Sequence, residues 1–371
     1  MQHIHLAYHW NPHQADAARH RPTTPLRNPL MDLLQAVRQA GSIASAAKAM
    51  QLSYRHVWGE LKRWEQALGQ PLIVWEKGHA ARLSEFADKL LWAEHQAQAR
   101  LAPQISALQA ELEKTFAMAF DPASHLLTLY ASHDDALVHL REHCARQSLH
   151  LDMRFCGSVD ALRALNEGRC TVAGFHAPLK PSPQSLVART YAPLLRNKQH
   201  RFMGFALRQQ GLMVAPGNPL GLAHLSDLTR AEVRYVNRPL GTGTRLLLDD
   251  ALLTAGIQPS QIKGYAHEES SHAAVAAGVA AGQADAGLGI ASAAHTHGLD
   301  FVPLLSECYW LVCRPSVQAS PPVQALVAQL RSAAWLQHLN GLTGYATPPL
   351  AGQMQALTQA LPWWHRVSDT A

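Results

Sequence analysis

Apolar residues recur at helical spacing from about residue 29 to residue 120 and then give way to short apolar runs that alternate with further helical stretches. In the first region Ile43, Ala46, Ala47 and Met50 share one helical face, and Val57, Leu61, Trp64 and Leu68 share another. Gln51, Leu52 and Ser53 leave room between them only for a tight turn. Ser53 carries the hydroxyl that caps a helix start, so the second helix opens with Tyr54, Arg55 and His56. A preceding helix is predicted over 29–39, with Pro29 in its first turn and Gly41 beyond its end. Residues 72–75 read as a strand, 76–81 as a Gly-containing turn and 82–83 as the returning strand, which together make a wing.

A long helix is predicted over 84–120. Leu101, Ile105, Leu108, Leu112 and Phe116 recur along it at fours and threes, a coiled-coil-like seam. At 1.5 Å per residue it would extend on the order of 50 Å, too far to bury the seam in its own small domain, so dimerisation is expected there. Pro103 should kink this helix or divide it in two. Residues 3–10 alternate apolar residues with histidines and are expected to pair with the wing as a strand, followed by a loop over 11–28.

Beyond residue 121 strands are predicted at 126–130, 151–155 and 171–175, with helices at 136–146 and 159–167 between them. Such alternation predicts a parallel sheet whose loops at the strand C-termini collect ligands. Ser132 and Ser158 fall at two of these turns. A second set begins with strands at 211–215 and 233–237. The second of these leads into Gly241, Thr242, Gly243, Thr244 and Arg245 and a helix over 246–255. That Gly-rich turn is the strongest ligand signal in the chain: glycines admit a ligand close to the backbone, the helix N-terminus favours negative charge, and Thr242, Thr244 and Arg245 add donors. No Gly-Lys-Ser or Gly-Lys-Thr follows, so it is not a Walker loop. Returning strands are expected at 301–304 and 309–312, and C-terminal helices at 323–339 and 353–361, with Trp363 and Trp364 as core cover.

Composition changes this picture little. The chain of 371 residues is 47% hydrophobic, enough for two or three domains with sizeable cores. No apolar run approaches the roughly 20 residues that span a bilayer, and the His-containing N-terminus is not a signal peptide, so the expected location is cytoplasmic. Five cysteines without a C-x-x-C pair fit reduced thiols rather than disulfides or a zinc site. His3, His5, His9 and His13 lack partners at metal-ligand spacing and read as a solvated face. A net charge of +5 suits a nucleic-acid partner, yet residues 1–120 hold 13 Lys and Arg against 10 Asp and Glu. Basic character must therefore be local, at Arg55, Lys62 and Arg63 and at Lys77, His79 and Arg82.

The stretch LLQAVRQAGSIASAAKAMQLSYRHVWGELKRWEQALGQPLIVWEKG resembles the winged helix of LysR-type regulators, and more closely that of the molybdate-responsive ModE type. Gly41, Ser42, Ile43, Ala46 and Ala47, with Leu68, Gly69, Pro71 and Leu72, match the shared pattern; Ser53, Tyr54 and Trp58 look more like ModE. Residues 125–315, through the Gly-Thr-Gly-Thr-Arg turn, the segment 264–275 and the segment 282–290, resemble the periplasmic-binding-protein-like domain found fused to such helices and to molybdopterin biosynthesis proteins. The resemblance implies an α/β chain with an α-rich winged-helix domain over 1–83 and a linker helix over 84–120. A two-lobed ligand-binding domain would follow over 121–371, with lobe 1 at about 125–205 and 305–371 and lobe 2 at about 206–304. By that likeness Ser132, Ser158, Thr244, Arg245, Glu268 and His272 face the cleft. Glu268 would repel an anion unless it pairs with Arg245 or receives an N–H or cationic group.

The implied function is a ligand-responsive transcription regulator. Ser53, Tyr54, Arg55, His56, Lys62, Lys77 and Arg82 would contact double-stranded DNA at an inverted-repeat operator, read by a homodimer or dimer of dimers. No cofactor is expected. The effector is a small anion, molybdate or tungstate first, with a small organic anion or pterin-type ligand as the alternative. An enzyme on the bilobal scaffold is the weaker reading: Asp134, Glu268 and His272 could form an acid–base set, but no nucleophile motif or metal spacing accompanies them.

Overall fold

The computed structural model describes residues 28–75, 81–120, 125–179, 182, 184–362 and 364. The expected strand at 3–10, Lys77, His79 and Trp363 lie outside them. Contacts divide the chain into two compact units at Leu101 and Ala102, inside one helix.

In the N-terminal unit, helix α1 (Pro29–Ala40) starts at Asn28, whose side chain accepts from the Leu30 N–H, and stops at Gly41 in the left-handed region. Ser42 caps α2 (Ile43–Ala49), and Ser53 caps α3 (Tyr54–Leu68). The apolar faces close on each other: Leu30, Leu34, Ile43, Ala46, Val57 and Leu61 are buried. Strands β1 (Ile73–Val74) and β2 (Arg82–Leu83) pair antiparallel. The Glu65 carboxylate accepts from the Leu72 and Ile73 N–H groups at 2.8 and 3.1 Å, fastening the hairpin to α3. Helix α4 (Glu85–Phe120) is a single helix with Pro103 inside it, so of the two expected outcomes, a kink or a division, the division does not occur. Proline removes its own N–H from the ladder and crowds the carbonyl four residues earlier, but the bonds on either side carry the helix through. Leu101 and Leu108 of the seam are 42% and 45% exposed.

The C-terminal unit opens with β3 (His125–Ala131), α5 (Asp135–Ala145), β4 (Leu149–Phe155), α6 (Ser158–Asn166), β5 (Val172–Pro178) and α7 (Leu186–Tyr191). Then come β6 (Arg201–Val214), β7 (Tyr235–Val236), α8 (Gly243–Thr254), α9 (His272–Ala280), β8 (Ala286–Ile290), α10 (Ala291–Thr296) and β9 (Asp300–Cys313). It ends with α11 (Pro321–Arg331), α12 (Ala333–Gly341), β10 (Tyr345–Ala346), β11 (Met354–Ala356) and α13 (Leu357–Ala360). One curled sheet runs β4-β3-β5-β9-β6-β8-β7. Two apolar clusters cover its β4-β3-β5 half and a third packs around β7 and α8.

The sheet is mixed rather than parallel. β3 is parallel to β4 and β5, and β7 to β8, but β9 is antiparallel to β5 and β6, and β6 to β8. β6 and β9, 14 residues each, cross between the two halves, which turns them against their neighbours. The lobe limits expected near 205 and 305 fall inside these strands. Arg208, Gln209 and Gln210 interrupt the apolar pattern of β6, so only its end was legible as a strand. The single helix expected over 323–339 is two, parted at Ser332, which has extended backbone and caps α12. The helix expected over 353–361 begins instead as β11. β8 pairs only with residues 210–214 of β6, and the same edge further back is taken by β10 and β11.

At the bulge between Gln210 and Gly211, β6 and β9 approach so closely that a Cβ on Gly211 would lie 2.2 Å from the Val302 carbonyl oxygen. Gly211→Ala should therefore force the two crossing strands apart and destabilise this unit by about 1–3 kcal/mol, read as an earlier midpoint in urea unfolding.

Candidate functional site

In the N-terminal unit the first turn of α3 presents Tyr54, Arg55 and His56, with Tyr54 49% exposed, Arg55 exposed and His56 half-buried. Of the residues expected at DNA, Ser53 has a structural task, accepting from the His56 N–H at 3.1 Å. Lys62 is drawn into the protein surface, 2.6 Å from Glu65 and 4.7 Å above the Trp58 ring. Arg82 is exposed on β2, and Lys77 falls outside the described residues. Trp75, 56% exposed and edge-on to Trp58, is a further surface group that the sequence pattern had placed only in a strand.

The C-terminal unit gathers polar side chains where its two halves meet. The Val159 N–H donates to the Gly241 carbonyl at 3.4 Å, and a Cβ on Gly243 would lie 3.0 Å from His176 and 3.2 Å from the Ser158 hydroxyl. Glycine is thus what lets the N-terminus of α8 come up to that of α6. Ser158, at the start of α6, lies 3.3 Å from Nδ1 of His176. The Gln210 amide donates to Thr244 at 3.0 Å and to Glu307 at 2.8 Å, and Thr244 lies 3.4 Å from Nε2 of His272. Ser132 joins through Tyr309, whose hydroxyl donates to the Ser132 carbonyl and whose ring lies 3.8 Å from that of His176. Behind these groups Arg208 bridges Asp134 and Glu307, each at 2.5 Å, and Tyr345 donates to Asp134 at 2.9 Å.

Four of the expected ligand residues, Ser132, Ser158, Thr244 and His272, are therefore brought together and buried. The other three are placed differently. Thr242 caps α8, accepting from the Arg245 N–H and donating to the Pro239 carbonyl. Arg245 is held by Asp249 at 3.1 Å, Glu268 at 2.9 Å and the Arg238 carbonyl at 3.2 Å, with its guanidinium 4.4 Å above Tyr265. Glu268 is the partner in that pair, which resolves its awkwardness beside an anion. Two of the acid–base trio are committed to ion pairs, Asp134 with Arg208 and Glu268 with Arg245.

The arginine beside the four gathered residues is Arg238, in the Asn-Arg-Pro-Leu segment after β7. It is 3% exposed, NH1 donates to the Glu269 carbonyl, and Nε has no partner. Burial and the nearby Arg208 cation pull its pKa down to about 9. The Ser132 hydroxyl, His176 Nε2 and His272 Nδ1 also lack partners, as do two acceptors, Gln210 Oε1 and Glu307 Oε2. A buried polar group left unpaired costs about 1–3 kcal/mol, so this concentration marks a place adapted to a polar ligand. Gln210, His176, Arg208 and Glu307 escaped the sequence reading because they sit within strands rather than at turns.

All three histidines here are kept neutral. Burial drives His133 down to about 4, against the opposing effect of Asp134, and drives His176 and His272 well below their ordinary value, aided by the Arg208 and Arg238 cations. A depressed folded pKa means that only the unfolded chain takes up protons as pH falls below about 6.5. The stability of this unit should accordingly be retained above pH 6.5 and be lost toward pH 4, by up to roughly 1.4 kcal/mol per pH unit for each histidine. Thermal unfolding between pH 4 and 8 checks this, and His272→Gln should flatten the slope.

Residues 141–331 match the family described as the PBP superfamily domain, and residues 30–88 match the bacterial regulatory helix-turn-helix proteins of the lysR family. An uncharacterized protein, YvgK, of Bacillus subtilis (strain 168) is 34% identical over 190 residues, 51% of this chain and 61% of that protein. An uncharacterized Clostridium pasteurianum protein, from the 5' region of a 2Fe-2S ferredoxin gene, is 37% identical over 101 residues, 27% of this chain and 89% of that protein. Among solved structures, full-length BenM is 15% identical, covering 86% of this chain and 98% of its own, with a TM-score of 0.43. Full-length CbnR with its target DNA is also 15% identical, covering 81% and 98%, with a TM-score of 0.40. The chain belongs to the PBP superfamily through residues 141–331 and carries, over residues 30–88, a match to the lysR-family helix-turn-helix.

Proposed function

We propose that this protein is a transcription regulator that binds double-stranded DNA through α3 and the wing and takes a small anion as effector between the halves of its C-terminal unit. The observation that carries the effector reading is Arg238, a buried guanidinium with a partnerless Nε beside three other partnerless groups able to donate. Ser158 and Thr244 bring the N-termini of α6 and α8 to the same place, and both helix ends favour negative charge. Molybdate or tungstate is the first choice, since a tetrahedral oxyanion accepts from several directions at once. A second reading, a small organic anion or pterin-type ligand with its own N–H or O–H donors, is favoured by the buried acceptors Gln210 Oε1 and Glu307 Oε2.

Two copies would associate along the exposed seam of α4, and the paired recognition helices would read an inverted repeat with half-sites about 34 Å apart. The effector acts to the extent that it binds one arrangement of the halves better than another.

Two measurements test the reading. In thermal unfolding, saturating molybdate or tungstate should raise the midpoint by about 5–10 °C, and Arg238→Gln should abolish the shift. A shift with small carboxylates or pterins but none with either oxyanion moves the assignment to the second reading. In gel shifts with upstream DNA, Arg55→Ala should weaken binding by about 1–3 kcal/mol, and unchanged binding would remove α3 as the reading element.

A further inference from the structure

Exposed cations of the C-terminal unit commonly stand beside a carboxylate: Arg163 beside Asp160, Arg169 beside Glu167, Arg230 beside Glu232, Arg234 beside Asp285. One recess departs from this. It encloses about 550 Å³ between the end of α6, the segment before β6 and the end of β9. Asn166, Arg196, Lys198, Gln199, His200 and Arg314 line it, and no Asp or Glu does.

The recess is built rather than incidental. The Asn166 amide donates to the Leu194 carbonyl at 2.8 Å, and its oxygen lies 2.9 Å from Nε2 of His200. Nδ1 of His200 accepts from the Arg196 N–H at 3.0 Å, which makes Nε2 the protonated nitrogen. Arg314 donates to the Asn166 carbonyl. Lys198 holds a left-handed backbone (φ 67°), its N–H bonded to the Asn197 side chain. These bonds use the polar atoms of Asn166 and His200 in fixing the loop and leave the heads of Arg196 and Lys198 exposed, with no ion pair to either among the described residues. His200 registers the resulting field: burial first, then the Arg314 and Arg196 cations, hold its pKa below the ordinary value.

We infer that this recess is a second ligand site, sharing no residue with the cleft around Arg238, and that it takes a phosphorylated small molecule of nucleoside-diphosphate size. Its volume falls within the usual range for small-molecule sites, about 300–1,000 Å³. Two guanidinium forks and one ammonium suit the oxygens of adjacent phosphoryl groups. Their three positive charges match a diphosphate, which carries on the order of three negative ones.

Calorimetric titration of the full chain with inorganic pyrophosphate and with ADP tests the site. Both should bind, and the double variant Arg196→Gln, Lys198→Gln, altered only at exposed side chains, should weaken both at least ten-fold. Absence of binding at about 1 mM, or binding indifferent to the double variant, overturns the inference. Citrate bound as tightly as pyrophosphate overturns the phosphoryl assignment. If neither probe binds but the double variant weakens association with non-operator duplex DNA, the recess is a backbone-contact surface and the small-molecule reading fails.

Discussion

Arg208 is the charge on which the C-terminal unit depends. It rises from the middle of β6, is almost wholly buried, and its guanidinium reaches Asp134 before α5 and Glu307 on β9. The same Asp134 accepts from Tyr345 of β10 and caps α5 through the Ala136 N–H. One guanidinium thereby ties the strand that crosses between the halves to three other segments. Buried ions of this kind are tolerated only when their hydrogen bonds are satisfied, and removing one partner exposes the full desolvation cost of the other. Tyr309, whose ring lies beneath the Arg208 guanidinium and beside His176, carries that constraint to Ser132.

The positive charge fixed there sets the chemistry of its surroundings. Beside Arg208 and Arg238, a buried imidazole gains nothing by becoming a second cation, so His133, His176 and His272 stay neutral and each offers a single N–H. Ser158 and Thr244 orient two of these rings, and His176 Nε2 and His272 Nδ1, with Arg238 Nε and the Ser132 hydroxyl, have no partner. Arg245 shows the opposite arrangement. Gathered in by Asp249, Glu268 and Tyr265, it stiffens the start of α8, whereas Arg238 keeps an unpartnered Nε.

Local patterns were enough for the described helices α1 to α3 of the N-terminal unit. Its helices are short, their spacing is regular and their caps are single residues such as Ser42 and Ser53, so neighbours a few positions apart decide the structure. The C-terminal strands with turn signals after them were equally legible, and with them Ser132, Ser158 and the Gly-Thr turn. β6 was not, because Arg208 and Gln210 break its apolar run, and those polar residues are the ones that build the site. Nor could spacing tell which arginine keeps an unpartnered nitrogen: Arg238 and Arg245 both follow a strand, and only the positions of Asp249 and Glu268 separate them.

By itself the sequence determined the order of domains, the helix-turn-helix, and the strand-to-helix turns that carry Ser132, Ser158 and Thr244, since each follows from periodicity and capping within a few residues. Tertiary structure alone decided the mixed sheet, the path of α4 through Pro103 and the pairing of every buried charge. The physical reason is range: a cap or an apolar face is settled by neighbours three or four residues away, whereas Arg208 and Glu307 are 99 residues apart and meet only when β6 and β9 align.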